Sequence, residues 1–192
     1  MEYDRLHWVR EQCSPEDSIA DIGCNKGHTF REWRNRDNVI HIDIDLYALP
    51  NFIQADAAKL PLEDNSVDVA ILSEILEHVE DPVACLKEAM RIATRKVVIT
   101  VPNEHEWEEE ALPFDTIEKQ EERTGKSREE LAKATAPALV HHTSDNYEHI
   151  WHVRHYTEET FKKDLEKAGY GSYKLSTLKN GPFVWFCAVE TL

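Results

Sequence analysis

The strongest constraint on the fold is a set of four short, nearly unbroken apolar runs: "DSIADIG" (17–23), "NVIHIDID" (38–45), "VDVAILS" (67–73) and "KVVITVP" (96–102). All are rich in Val or Ile and too short for an ordinary helix, so they read as strands. A strand that is apolar throughout rather than alternating is covered on both faces, as in a parallel sheet with helices on either side. The intervening segments supply those helices. "GHTFREWRNR" predicts a short helix carrying Phe30 and Trp33 on one side, and "PVACLKEAMRIA" (82–93) predicts another, with Pro82 in the tolerant first turn. "FIQADA" (52–57) adds a further strand.

The C-terminal part follows a different pattern. "EETFKKDLEKA" is a helix capped by Thr157 and closed by Gly169, and Asn180-Gly181 between "YKLSTL" and "FVWFCAVE" is a strong hairpin signal. The last strand therefore runs antiparallel inside an otherwise parallel α/β sheet. Residues 103–150 interrupt the alternation with acidic, weakly helical sequence, including a capping box at Ser127 and Glu130. A segment of that length at the carboxyl end of a strand is expected to be a helical insertion or lid within one domain spanning 1–192.

Composition restricts the partners. With 22 Lys and Arg against 37 Asp and Glu, the net charge of -15 repels nucleic acid and anionic membranes. No stretch approaches the roughly 18 apolar residues of a membrane span, which predicts a soluble, cytoplasmic protein. Cys13, Cys24, Cys85 and Cys187 form no CxxC pair, so neither a zinc site nor a disulfide framework is indicated.

In open α/β sheets ligands bind beyond the carboxyl ends of the strands. There the first strand runs into "DIGCNKG", where Gly23 and Gly27 allow a tight turn and close backbone approach, and a following helix would aim free N–H groups at an anion. Asn25 and His28 stand where a dinucleotide fingerprint needs glycine, which disfavours NAD. Asp43 ends the second strand, where a carboxylate can accept both hydroxyls of a ribose. Asp56 and Ala57 end the third, offering an acceptor and a small apolar side chain near a base.

Together "DIGCNKG", "HIDID", "QADAAKLPLEDNSVDVAILSEILEHVEDPVACLKEAMRI" and "HYTEETFKKDLEKAGY" resemble a small, single-domain class I S-adenosylmethionine-dependent methyltransferase, over about 17–103 and 149–190. The resemblance implies a Rossmann-like, doubly wound seven-stranded sheet of order 3-2-1-4-5-7-6. It implies S-adenosyl-L-methionine as cofactor, with Asp21, Gly23, Cys24, Asn25 and Gly27 about the methionine moiety. Asp43 and Ile44 would then lie at the ribose, Asp56 and Ala57 at the adenine, and Ser73 beside the sulfonium. Asn25 replaces the usual middle glycine, and "LYALPN" is too short for a helix between the second and third strands, which should leave the adenine side open. Tyr3, Trp8 and Val9 suggest an N-terminal helix folded over the cofactor.

A methyltransferase with an oxygen or nitrogen acceptor must also manage a proton. If 74–78 form a helical turn, Glu74, Glu77 and His78 share one face at the mouth of the site, and "HIWHVRHYTEETF" supplies His149, His152 and His155. Glu77, His78 and His152 are the candidate catalytic residues. ExxEH with a later His also resembles the metal-dependent small-RNA 3′-terminal 2′-O-methyltransferases, which implies Glu74, Glu77, His78 and His152 as ligands of a divalent metal (Mg, Mn, Fe or Zn). The same "E-x-L-E-H-V-x-D-P" pattern occurs in related enzymes without metal. His141, His142, Trp107 and Trp151 could line a pocket or serve only as surface and packing residues. The expected function is methyl transfer to an oxygen or nitrogen of a small molecule. The alternatives are 2′-O-methylation of an RNA 3′ end, or a non-catalytic S-adenosylmethionine-binding partner protein.

Overall fold

The Val- and Ile-rich runs form the centre of one mixed sheet. The computed structural model describes residues 5–27, 30–103, 106, 152–181 and 183–192. These give α1 (Arg5–Glu11), β1 (Ile19–Ile22), β2 (Val39–Asp43), β3 (Phe52–Gln54), β4 (Val67–Ser73), α2 (Pro82–Ile92), β5 (Ala93–Pro102), α3 (Glu158–Ala168), β6 (Lys174–Asn180) and β7 (Phe183–Thr191). The seven strands lie in the order β3-β2-β1-β4-β5-β7-β6. β7 alone runs against the direction of the other six strands, pairing antiparallel with β5 and β6. The Asn180-Gly181 turn brings Asn180 opposite Phe183, with Gly181 at φ 56°.

Alternate residues of each central strand feed two cores, which is why the runs read as continuous. Ala20, Ile22, Ile42, Leu72 and Ile99 pack with Leu86 and Ala89 of α2 and Phe161 and Leu165 of α3. Ile19, Val39, Val69, Ile71 and Val98 face the other way, onto Val9 of α1 and onto Phe30 and Trp33. Each fully buried branched side chain of this kind contributes roughly 1.5–3 kcal/mol. Asp81 caps α2 by accepting from Ala84 N at 2.9 Å, and Pro82 opens the helix. Thr157 caps α3, which Gly169 terminates in the left-handed conformation.

Two local expectations change. The helix expected in "GHTFREWRNR" is, over its described residues 30–36, a run of turns in which Trp33 N, Arg34 N and Arg36 N donate to carbonyls three residues back. A three-residue repeat eclipses positions i and i+3, and that sets Phe30 and Trp33 in a stack with ring centroids 4.3 Å apart. The described residues there offer no helix N-terminus for an anion. Val9 is buried in the second core and Trp8 packs against it. The insertion 103–150 lies outside the described residues, apart from Asn103 and Glu106, as do Tyr3, His28, Trp107, His141, His142, His149 and Trp151.

Candidate active site

The carboxyl ends of β1, β2, β3 and β4 converge on one edge of the sheet. After β1, Gly23 (φ 76°), Asn25 (φ 50°) and Gly27 (φ 67°) all take positive φ, so the chain doubles back on itself. Gly23 N and Cys24 N both donate to Ile42 O, at 2.8 and 3.1 Å. A Cβ on Gly23 would lie 2.6 Å from Ile75 Cδ1, so the loop after β1 and the turn after β4 are in immediate contact.

Asp43 braces this loop. Its Oδ2 accepts from Asn25 N at 2.7 Å and its Oδ1 from Asp45 N at 3.1 Å. Burial pushes its carboxyl above the usual carboxylate range, against the opposing effect of those N–H groups. Asp56 accepts from Ala58 N at 2.8 Å, a local turn that ends β3 ahead of the buried Ala57. Between β2 and β3 no helix forms, and Ile44 and Leu46 are 64% and 75% exposed.

Asp21, the third residue of β1, faces the second core opposite its register partner His41. The two side chains are only 4% and 1% exposed, and Asp21 Oδ2 stands 3.6 Å from His41 Nδ1. Burial raises the Asp21 carboxyl, and His41 opposes that rise. The neighbouring Cys24 thiol is also pushed up, by burial first and then by Asp21 and Asp43.

At the end of β4, Ser73 Oγ lies 3.1 Å from Thr100 Oγ1 and accepts a hydrogen bond from Arg5 Nη1 of α1. Glu74 follows at φ 57°. This left-handed residue breaks the expected helical turn, which begins only at Ile75, where His78 N donates to Ile75 O at 2.9 Å. The Glu74 side chain consequently leaves the face it was expected to share. Its Oε2 accepts from Trp185 Nε1 at 3.0 Å and its Oε1 from Thr100 Oγ1 at 3.2 Å.

The remaining three residues of the expected set come together. One ligand atom each from Glu77, His78 and His152 lies within 4.8 Å of the others, with Glu77 and His152 buried. His78 Nε2 is 3.8 Å from Glu77 Oε1, and the His78 and His152 rings stand 4.7 Å apart at 69°. His155 is further off, 6.4 Å from the His152 ring. A strap holds the cluster: Val153 N donates to Glu77 O at 2.8 Å, and the Arg154 guanidinium donates to Leu76 O at 2.7 Å and Glu80 O at 3.0 Å. Arg5, His41, Thr100, Arg154 and Trp185 are site residues that sequence reading missed. The one available signal was His41, a polar residue inside an apolar strand.

Residues 20–100 match the family model for a methyltransferase domain. The strand order is the one that the resemblance to class I S-adenosylmethionine-dependent methyltransferases implied, and the matched segment is the part of the chain that carries that resemblance. An uncharacterized 37.1 kDa protein in transposon TN4556 of Streptomyces fradiae is 26% identical over 113 residues, which are 59% of this chain and only 30% of that protein. Among solved structures, a SAM-dependent methyltransferase from Archaeoglobus fulgidus superposes with a TM-score of 0.60 at 16% identity, covering 98% of this chain and 91% of that one. The 1,6-didemethyltoxoflavin-N1-methyltransferase of Burkholderia thailandensis, solved with 1,6-didemethyltoxoflavin and S-adenosylhomocysteine, gives 0.56 at 12%, covering 97% and 74%. At such identities the likeness is one of fold. No helix among the described residues is long and apolar enough to cross a membrane.

Proposed function

We propose that this chain transfers the methyl group of S-adenosyl-L-methionine to an oxygen or nitrogen of a small molecule, with Glu77, His78 and His152 handling the acceptor's proton. The observation that carries this reading is the gathering of those three residues within 4.8 Å, directly after the strand whose end lies against the Gly23 loop. The doubled-back chain from Gly23 to Gly27 leaves no room for a Cβ at Gly23 and fits close backbone approach to the methionine portion. There the Asp21 carboxylate meets the α-ammonium, with Cys24 and Asn25 forming the turn. Asp43 and Ile44 take the ribose, Asp56 and Ala57 the adenine, and Ser73 the sulfonium side. The cofactor, when bound, supplies the electrophilic methyl group.

The chain's own residues do the rest. His78 and His152 present two imidazoles at one point, and Glu77, 3.8 Å from His78 Nε2, fixes the orientation of that ring. Either imidazole can accept the proton that the acceptor loses as its lone pair attacks. Small-molecule acceptors accord with the net charge of -15 and with the substrate bound by the Burkholderia enzyme of the same fold. The test is S-adenosylhomocysteine binding by calorimetry, then methyl transfer across a panel of hydroxyl and amine acceptors, for wild type and His152→Ala. Cofactor binding with no turnover by wild type on any acceptor would point to a non-catalytic partner protein.

A second reading rests on the same cluster. One carboxylate and two imidazoles form a donor set that fits a divalent ion, favouring Mn, Fe or Zn over Mg. Glu77, His78 and His152 would hold it, and its chemistry would be to lower the pKa of an acceptor hydroxyl such as a terminal RNA 2′-OH. Glu74, engaged with Trp185 and Thr100, lies outside that set.

A further inference from the structure

We propose that Asp21 and His41 form a single proton-sharing unit beneath the methionine end of the cofactor pocket, and that cofactor binding expels its proton. His41 is then a positioning residue, acting on the cofactor through Asp21. The inference rests on the reading of Asp21 as the partner of the cofactor's α-ammonium.

The geometry sets the constraint. The pair sits in register on β1 and β2, with side chains 4% and 1% exposed and a 3.6 Å gap between Asp21 Oδ2 and His41 Nδ1. That carboxylate oxygen and both ring nitrogens of His41 lack any hydrogen-bond partner among the described residues. A lone charge so placed is costly, whether carboxylate or imidazolium. Burial therefore favours the states in which the pair together is neutral, and each of these contains one proton: carboxylate with imidazolium, or carboxylic acid with imidazole.

Among the described residues, none but His41 adds a charge that acts on Asp21. The second core, which the pair faces, is made of apolar residues that include Ile19, Val39, Ile71, Phe30 and Trp33. The loop after β1 adds the Cys24 thiol, which burial pushes toward its neutral form. Further along β2 stands Asp43, engaged by Asn25 N and Asp45 N, and Tyr47 beyond it is likewise shifted toward its neutral form. From α1, Arg5 is engaged by Ser73 at the end of β4.

An ammonium group docking at Asp21 changes the count. Ionised Asp21, neutral His41 and the ligand cation now sum to zero without the pair's proton, which leaves to solvent. The complex then holds fewer protons than the empty protein, so affinity rises with pH, by up to about tenfold per unit for one proton released.

The test is calorimetric titration of wild-type protein at pH 7 in buffers of different ionisation enthalpy, with two probes. S-Adenosylhomocysteine carries the α-ammonium, and 5′-methylthioadenosine keeps adenine, ribose and sulfur but lacks the amino-acid portion. About one proton should be released with the first and none with the second. His41→Asn leaves Asp21 as the pair's only proton site, so the pH range over which affinity rises should move from that of wild type. Equal proton counts for the two probes would overturn the proposal on wild type alone, whether or not the variant folds. An unchanged pH profile of affinity in a folded His41→Asn would overturn the part assigned to His41. If wild type binds neither probe, the cofactor reading itself fails.

Discussion

The indole N–H of Trp185 donates to the Glu74 carboxylate across 3.0 Å, joining residues 111 apart in sequence. Through it β7 holds the left-handed residue that turns the chain out of β4. Trp185→Phe keeps the ring but removes the donor, and it should lower stability by about 1–3 kcal/mol, the usual range for a part-buried hydrogen bond to a charged group. Denaturant unfolding of wild type and variant measures this, and equal midpoints would show the contact to be incidental.

Gly23 is constrained by both conformation and space. At φ 76°, with Ile75 Cδ1 only 2.6 Å from where a Cβ would stand, Gly23→Ala strains the backbone and must push aside the Ile75 side chain in the turn that leads to Glu77. It should lower S-adenosylhomocysteine affinity at least tenfold, about 1.4 kcal/mol. Adding Ile75→Ala should recover part of that loss by removing the clash, leaving the cost of positive φ. No recovery in the double variant would mean that the backbone conformation alone is responsible.

Asp21→Asn should stabilise the cofactor-free protein while weakening cofactor binding. Burial raises the Asp21 carboxyl, so the folded state holds its proton more tightly than the unfolded state does. Its stabilising contribution is present at low pH and is lost as pH rises from the ordinary carboxylate value through the raised one. The variant should thus gain on wild type progressively across that window, by about 1 kcal/mol or more at pH 7. Thermal unfolding from pH 4 to 8 reads the difference, and a constant offset between the two curves would contradict it.

Chelator should leave methyl transfer intact, whereas His152→Ala should lower kcat by about 100-fold or more, the scale of general acid–base assistance. Loss of activity on chelation, with recovery on adding Mn or Zn, would shift the assignment to the metal-bound reading of the same cluster.

Arg154 anchors the strap rather than the chemistry. Its guanidinium donates to Leu76 O and Glu80 O, and the adjacent His152 stands at the His78 ring. Arg154→Met should reduce kcat by roughly ten- to a hundredfold through misplacement of His152. S-Adenosylhomocysteine affinity should remain unchanged, and a parallel fall in that affinity would place Arg154 in cofactor binding instead.

What the sequence made legible was whatever depends on local chemistry. The Val/Ile runs, the Thr157 and Gly169 caps and the Asn180-Gly181 turn lie where their periodicity and φ preferences put them. Glu77, His78 and His152 meet in one place. The helix expected after Gly27 gave way because stacking Phe30 on Trp33 needs a three-residue repeat. Glu74 left its expected face because a non-glycine residue there takes positive φ, a choice made by Trp185 and Thr100 from distant strands. Arg5, which reaches Ser73 across 68 positions, is likewise invisible to any local pattern.

β7 follows all six other strands in the sequence yet lies inside the sheet, between β5 and β6. During synthesis β5 must therefore wait with an open hydrogen-bonding edge until β7 has left the ribosome. Throughout that interval Val97, Val98 and Ile99 belong to an unfinished border able to recruit any passing strand. A nascent chain of this kind has most need of chaperone protection between the emergence of β5 and that of β7, and removal of β7 would leave the sheet divided rather than merely shortened.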